Sequence, residues 1–150
     1  EVFETRYPSF LIESYRLLPD SGGAGEFRGG LGGERLLTVT EEVTVSALLN
    51  RMLADPWGVL EGENGQRGGI WVKRAGHESW QTFVEAYGTM SPSKFSGIRL
   101  HPGDQVKLVM PGGGGYGDPQ KRDRAMIERD ISEGFVTMGQ AISAYGYSCE

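Results

Sequence analysis

Gln105-Val106-Lys107-Leu108-Val109-Met110-Pro111-Gly112-Gly113-Gly114-Gly115-Tyr116-Gly117-Asp118-Pro119 brings together the three textures of this chain. The first six residues are apolar and partly β-branched, which reads as a strand ended by Pro111. A glycine run follows. Asp118 then offers a helix N-cap with Pro119 at the first helical position, and Ile127 and Ile131 continue at i, i+4 spacing.

Downstream, Gly134 can supply a left-handed end to that helix. Thr137 with Gln140 forms a capping-box pattern for a second helix carrying Ala141, Ile142 and Tyr145, stopped by Gly146. Upstream, residues 10–18 read as a strand closed by Pro19-Asp20. Residues 35–49 read as two strands joined in a hairpin at Glu41-Glu42, and residues 69–73, 80–84 and 95–100 as further short strands separated by turns. His101-Pro102-Gly103-Asp104 is a turn by composition. The expected fold is therefore mostly β (α+β): a sandwich or barrel-like body over residues 1–118 and a helical hairpin over 119–150, together one domain.

Glycine makes up 24 of 150 residues, about twice ordinary usage, and clusters in residues 21–33, 58–69 and 112–117. Such density serves positive φ, close approach of chains, or extended polyproline-like packing. Gly112, Gly114 and Gly117 formally spell G-x-G-x-x-G, the dinucleotide fingerprint. Its context is wrong, because the preceding strands form a meander, prolines bracket the loop, and no later parallel strand could present an acid to a ribose. A bare anion site at the helix start is opposed by Asp118. Structural use of the glycines is the better reading.

A net charge of −5 and a pI near 5.1 leave no basic footprint for nucleic acid or an anionic membrane. No apolar run reaches the ~20 residues of a bilayer span, and the first residues lack signal-peptide character. The lone cysteine, Cys149, precludes an internal disulfide and points to a reducing, cytoplasmic setting. The start at Glu1 rather than Met implies further residues upstream.

Ser21 lacks the glycine-flanked elbow of a nucleophile, and only His77 and His101 could act as its base. Those histidines have no metal-ligand spacing with each other or with Cys149 and read as exposed turn residues. Glu41 with Glu42, and Asp123 with Asp130, could be named carboxylate pairs, but charges beside strands and on helix faces are usually solvated. No catalytic, cofactor-binding or metal-binding residue is assigned from spacing.

The order of the unusual strings carries more. Arg6-Tyr7-Pro8, Pro19-Asp20-Ser21-Gly22-Gly23-Ala24-Gly25 and Arg28-Gly29-Gly30-Leu31-Gly32 come first. Ser46, Arg51, Pro56-Trp57-Gly58, Gly62, Gly65, Leu100, Gly103-Asp104, residues 111–119, Arg122-Asp123, Asp130, Gly134, Ala141 and Tyr145-Gly146 follow. Together they resemble the C-terminal portion of B-type subunits in the hydantoinase, oxoprolinase and ketone-carboxylase family.

The resemblance implies a subunit of an ATP-dependent enzyme in which an amide or enol oxygen is phosphorylated. The family's catalytic residues do not map onto this chain. The implied partners are a kinase-like ATP-binding subunit and a large B-type subunit, with ATP and Mg held by the partner subunits. A chain of this length resembles the multi-subunit ketone carboxylases, so the leading expectation is a small, mainly structural subunit of an acetophenone carboxylase-like ligase that makes a β-keto acid from ketone, bicarbonate and ATP. Cyclic amide hydrolysis, or an independent β-domain that binds a ligand or protein, are the alternatives.

Overall fold

The structure is a computed structural model and describes residues 2–148; Cys149 lies outside the described residues. Two compact units are present, each drawn from several stretches of chain. One contains Glu1–Arg16, Glu34–Met52 and Gly69–Val109, and the other Leu17–Gly33, Leu53–Gly68 and Met110–Glu150. The second unit joins the helical tail to the glycine-rich stretches, a grouping that chain order does not display.

The first unit is built on strands. A short helix α1 (Val2–Arg6) precedes β1 (Phe10–Leu17), β2 (Gly33–Val39), β3 (Val43–Leu48), β4 (Gly69–Lys73), β5 (Gln81–Thr82), β6 (Lys94–Leu100) and β7 (Gln105–Met110), with helix α2 (Phe83–Tyr87) after β5. The strands form a five-stranded sheet in the order β1-β2-β7-β4-β5 and a two-stranded sheet of β3 and β6. Antiparallel register pairs Ile70 with Leu108 and Val72 with Val106 in the first sheet, and Val45 with Ile98 in the second. Val39, Ile70, Val72 and Val106 from the larger sheet share one core with Leu100 from the smaller, and Val43, Val45, Phe95 and Ile98 pack against it. The expected β body is thus present as two antiparallel layers.

Three local expectations need correction. The strands on either side of Glu41-Glu42 exist but do not pair as a hairpin, because β2 lies between β1 and β7 while β3 pairs with β6. The chain crosses from one layer to the other at that point. Residues 80–84 are not a strand throughout. Thr82 and Glu85 form a reciprocal capping box, in which the Thr82 N–H donates to Glu85 Oε2 at 2.7 Å and the Glu85 N–H to Thr82 Oγ1 at 3.2 Å. Helix α2 therefore starts at Phe83, whose fully buried ring stacks on Phe95 with centroids 4.2 Å apart. The third concerns the tail, where Asp118 caps only a single 3-10 turn, Pro119–Lys121, and Asp123 caps the true helix α3 (Arg124–Ser132) through Ala125 N–H.

The tail continues as expected from there. Gly134 takes φ 72 after α3, Thr137 accepts from Gln140 N–H to cap α4 (Met138–Tyr145), and Gly146 ends α4 at φ 64. Among the described residues no helix is long and apolar enough to cross a membrane.

Apart from Gly33 and Gly69, which open β2 and β4, the glycines of the clusters form neither helix nor ladder. Residues 112–117 run through the middle of the second unit and bond to four other stretches. The Gly23 N–H donates to Gly113 O at 2.9 Å, Gly113 N–H to Gly30 O at 2.8 Å, Gly115 N–H to Glu63 O at 2.9 Å, and Val59 N–H to Gly115 O at 2.9 Å. A strand in a sheet has at most two neighbours, so four neighbours mean a bundle of extended chains bonded in several directions. Such packing brings backbone into the space that side chains normally fill. A β-carbon on Gly112 would fall 1.9 Å from Ser21 O, on Gly114 2.0 Å from Trp57 O, and on Gly115 1.9 Å from Ala24 O. Of the glycines in the three clusters only Gly117 has positive φ, so close approach, not left-handed backbone, explains most of them.

Adjacent glycines in the same run separate the two explanations. A β-carbon on Gly29 would lie 2.1 Å from Gly113 O, whereas one on Gly30 meets nothing within 4 Å. Gly29→Ala is expected to cost about 3 kcal/mol or more, and Gly30→Ala to be neutral or stabilising by up to about 1 kcal/mol. Urea unfolding of the two variants checks this.

Candidate functional site

A buried charge cluster lies in the second unit, on the helical tail and the glycine-rich stretch. Asp130, on α3, is almost fully buried. Arg28 reaches it from between the glycines of residues 25–30 with Nε 3.0 Å from Oδ2 and Nη2 3.1 Å from Oδ1, a two-pronged pairing. Arg122, from the short stretch between the 3-10 turn and α3, adds Nη2 at 2.8 Å from Oδ2. Both arginines also hold backbone, Arg28 through Gly29 O at 2.8 Å and Arg122 through Glu26 O at 3.0 Å. Their guanidinium groups lie over the rings of Phe135 and Tyr145, at 5.6 and 5.8 Å from the centroids.

Burial pushes the Asp130 carboxyl up, but hydrogen bonding and charge from Arg28, and then from Arg122, outweigh it and leave the carboxyl below its ordinary value. A carboxylate held in this way is a fixed negative charge and a poor proton acceptor. Burial raises the Tyr145 phenol, against the pull of Arg122 and Arg28. Arg122 Nε is buried and has no hydrogen-bond partner among the described residues. With two guanidinium groups on one carboxylate, the cluster retains a surplus positive charge. Beside it is a cavity of about 250 Å³ lined by Arg28, Arg122, Met126, Arg129, Asp130, Glu133 and Phe135, smaller than the ~300 Å³ at which ordinary ligand pockets begin. The arrangement clamps a glycine turn to a helix.

The residues weighed from sequence are dispersed. Ser21 is buried, with Oγ donating to Leu18 O at 2.6 Å and accepting from Gly32 N–H at 2.8 Å, so its hydroxyl is committed to backbone. His77 and His101 are both exposed, and His101 Nδ1 lies 3.5 Å from Glu42. Glu41 accepts from Ser9 Oγ. Asp123 is a helix cap and Asp130 a buried ion-pair partner, so they do not act as a pair. Among the described residues no three His, Cys, Asp or Glu side chains converge.

In the G-x-G-x-x-G string, the N–H groups of Gly112, Gly113, Gly115 and Gly117 already donate to carbonyls of Gln66, Gly30, Glu63 and Val59. Those four amides serve the bundle instead of a phosphate. Spacing alone could not find the Arg28–Asp130 pair, whose partners are 102 residues apart. The order of strings did contain Arg28, Arg122 and Asp130, but gave no sign that they meet.

Asp130→Asn would leave two buried guanidinium groups without their counter-charge and is expected to cost about 3 kcal/mol. A carboxyl held below its unfolded value stabilises as the carboxylate. That contribution is complete above the unfolded aspartate value of ~3.9 and is lost as pH falls through the lower folded value. Urea midpoints measured from neutral to acid pH should therefore fall more steeply for the native chain than for Asp130→Asn.

The family model described as Hydantoinase B/oxoprolinase matches residues 1–119. An uncharacterized protein of Methanocaldococcus jannaschii is 34% identical over 97% of this chain and 24% of its own length. The beta subunit of caprolactamase from Pseudomonas jessenii is 33% identical over 97% of this chain and 24% of its own length. The crystal structure of ATP-dependent caprolactamase from the same organism superimposes with a TM-score of 0.73 at 26% identity, covering 99% of this chain and 25% of that one. A nucleotide-free acetone carboxylase shares the fold, with a TM-score of 0.65 at 20% identity over 95% of this chain and 22% of that one. This chain thus spans about a quarter of the length of these two relatives. With residues 1–119 covered by one family model, the chain belongs to the hydantoinase B/oxoprolinase family.

Proposed function

We propose that this chain is a scaffold portion of the B-type component of an ATP-dependent enzyme that opens a cyclic amide. The supporting observation is its likeness to caprolactamase, at 33% identity to the beta subunit and a TM-score of 0.73. On this reading the chain binds no nucleotide, a reading supported by the N–H groups of Gly112, Gly113, Gly115 and Gly117, which are spent on backbone carbonyls. A kinase-like partner subunit holds ATP and Mg, the remainder of the B-type component supplies catalytic groups, and the assembly works in the cytoplasm. The second reading, carboxylation of a ketone such as acetophenone, draws on the fold shared with acetone carboxylase.

The test is Mg-dependent ADP release by the chain alone and by its complex with the kinase-like and larger B-type proteins of the same organism. The chain alone should release none. The complex should respond to five- to seven-membered lactams by at least about tenfold over its basal rate, a modest part of what enzymes achieve. Stimulation by a ketone with bicarbonate, and not by lactams, would select the second reading. ATP hydrolysis by the pure chain would overturn both.

A further inference from the structure

One face of the glycine bundle carries a row of apolar side chains on three neighbouring stretches. Phe27 and Tyr116 exchange backbone hydrogen bonds of 3.0 and 2.9 Å, and their rings lie 6.2 Å apart. Val59 brackets Tyr116 from the other side, with its N–H donating to Gly115 O at 2.9 Å and its carbonyl accepting from Gly117 N–H at 3.0 Å. The three side chains are 57%, 49% and 48% exposed. Isolated exposed apolar residues are ordinary, but a contiguous row is not.

Leu60 follows Val59 in the chain and is 65% exposed. It has φ 49 and the next residue, Glu61, φ 73, two consecutive left-handed residues that carry β-carbons. The turn is closed by Gly62 N–H on Val59 O at 3.1 Å. Glycine or asparagine would make the same turn with less strain. A leucine held outward in a disfavoured conformation, with its side chain left in water, is accounted for by something that covers it.

We propose that the row of Phe27, Tyr116 and Val59, together with Leu60, is the seat of the rest of the B-type component, the part of the family protein outside the quarter that this chain spans. This rests on the reading of the chain as a portion of that component. Relatives about four times as long carry this fold as one part of a larger body, which needs a face to join it. Charge selects against a second copy. Glu26 and Glu61 flank the row, Glu63 is exposed close by in the chain, and the net charge is −5, so a face-to-face pair would oppose like charges. The fitting occupant presents an apolar socket rimmed by Lys and Arg.

The full chain is co-expressed with the larger B-type polypeptide of the same organism, identified by its own match to this family, and affinity is measured by titration at low and high salt. Leu60→Asn is the informative variant, because it suits the left-handed turn while removing the apolar side chain. Its thermal midpoint should equal or exceed that of the native chain, while affinity falls by about tenfold or more. Tyr116→Asp should weaken binding further, Ile142→Asp on α4 should not, and native affinity should fall with salt. Unchanged affinity for Leu60→Asn, or a native homodimer that Leu60→Asn abolishes, would overturn the proposal. If the complex forms and depends on Leu60 but releases no ADP with lactam or ketone, the docking face stands and the functional reading fails.

Discussion

The missing side chains of Gly112, Gly113, Gly114 and Gly115 are the constraint around which the second unit is organised. Four other stretches of chain bond to this one, and each approach brings carbonyl oxygens to within about 2 Å of where a β-carbon would sit. Hydrogen bonds in several directions replace the side-chain packing that closes an ordinary core. The cost is the large conformational freedom that glycine loses on folding. The buried pairing of Arg28 and Arg122 with Asp130 offsets part of that cost by fixing the bundle to α3. Small residues then let the helices close: Ala24 shares a core with Ile127, Val136, Ala141, Ala144 and Tyr145.

The chain therefore contains two kinds of interior. The strand unit is closed by aliphatic and aromatic contacts, with Phe83 and Phe95 stacked at its centre, and follows the usual rules of alternation and register. The glycine unit buries backbone and a charged cluster. Each kind should respond differently to substitution, since an interior of side chains can repack around a lost methyl while one of peptide groups has no room for an added one.

This difference also explains what could be read from sequence. Strand periodicity gave β1, β4, β6 and β7 with nearly their observed limits, and glycine and threonine marked the ends of α4. The capping box at Thr82 and Glu85 was visible in the sequence, but the β-rich surroundings obscured it. The crossing of the chain between sheets after Val39 left no local mark, since a hairpin and a layer change use the same turn residues. Nor could the meeting of Arg28 with Asp130 be foreseen from one sequence, because nothing in spacing joins residues so far apart. The glycine strings signalled that backbone mattered; which of them approach one another is a property of the fold.

The most phosphate-like motif of the chain is a piece of the interior. Amide hydrogen exchange in the folded chain tests that directly. The N–H groups of Gly112, Gly113, Gly115 and Gly117 should be protected as strongly as the slowest amides of α3 and α4 in the same unit, opening only with its unfolding. Exchange of these glycine amides at the rate of an exposed loop would contradict the account.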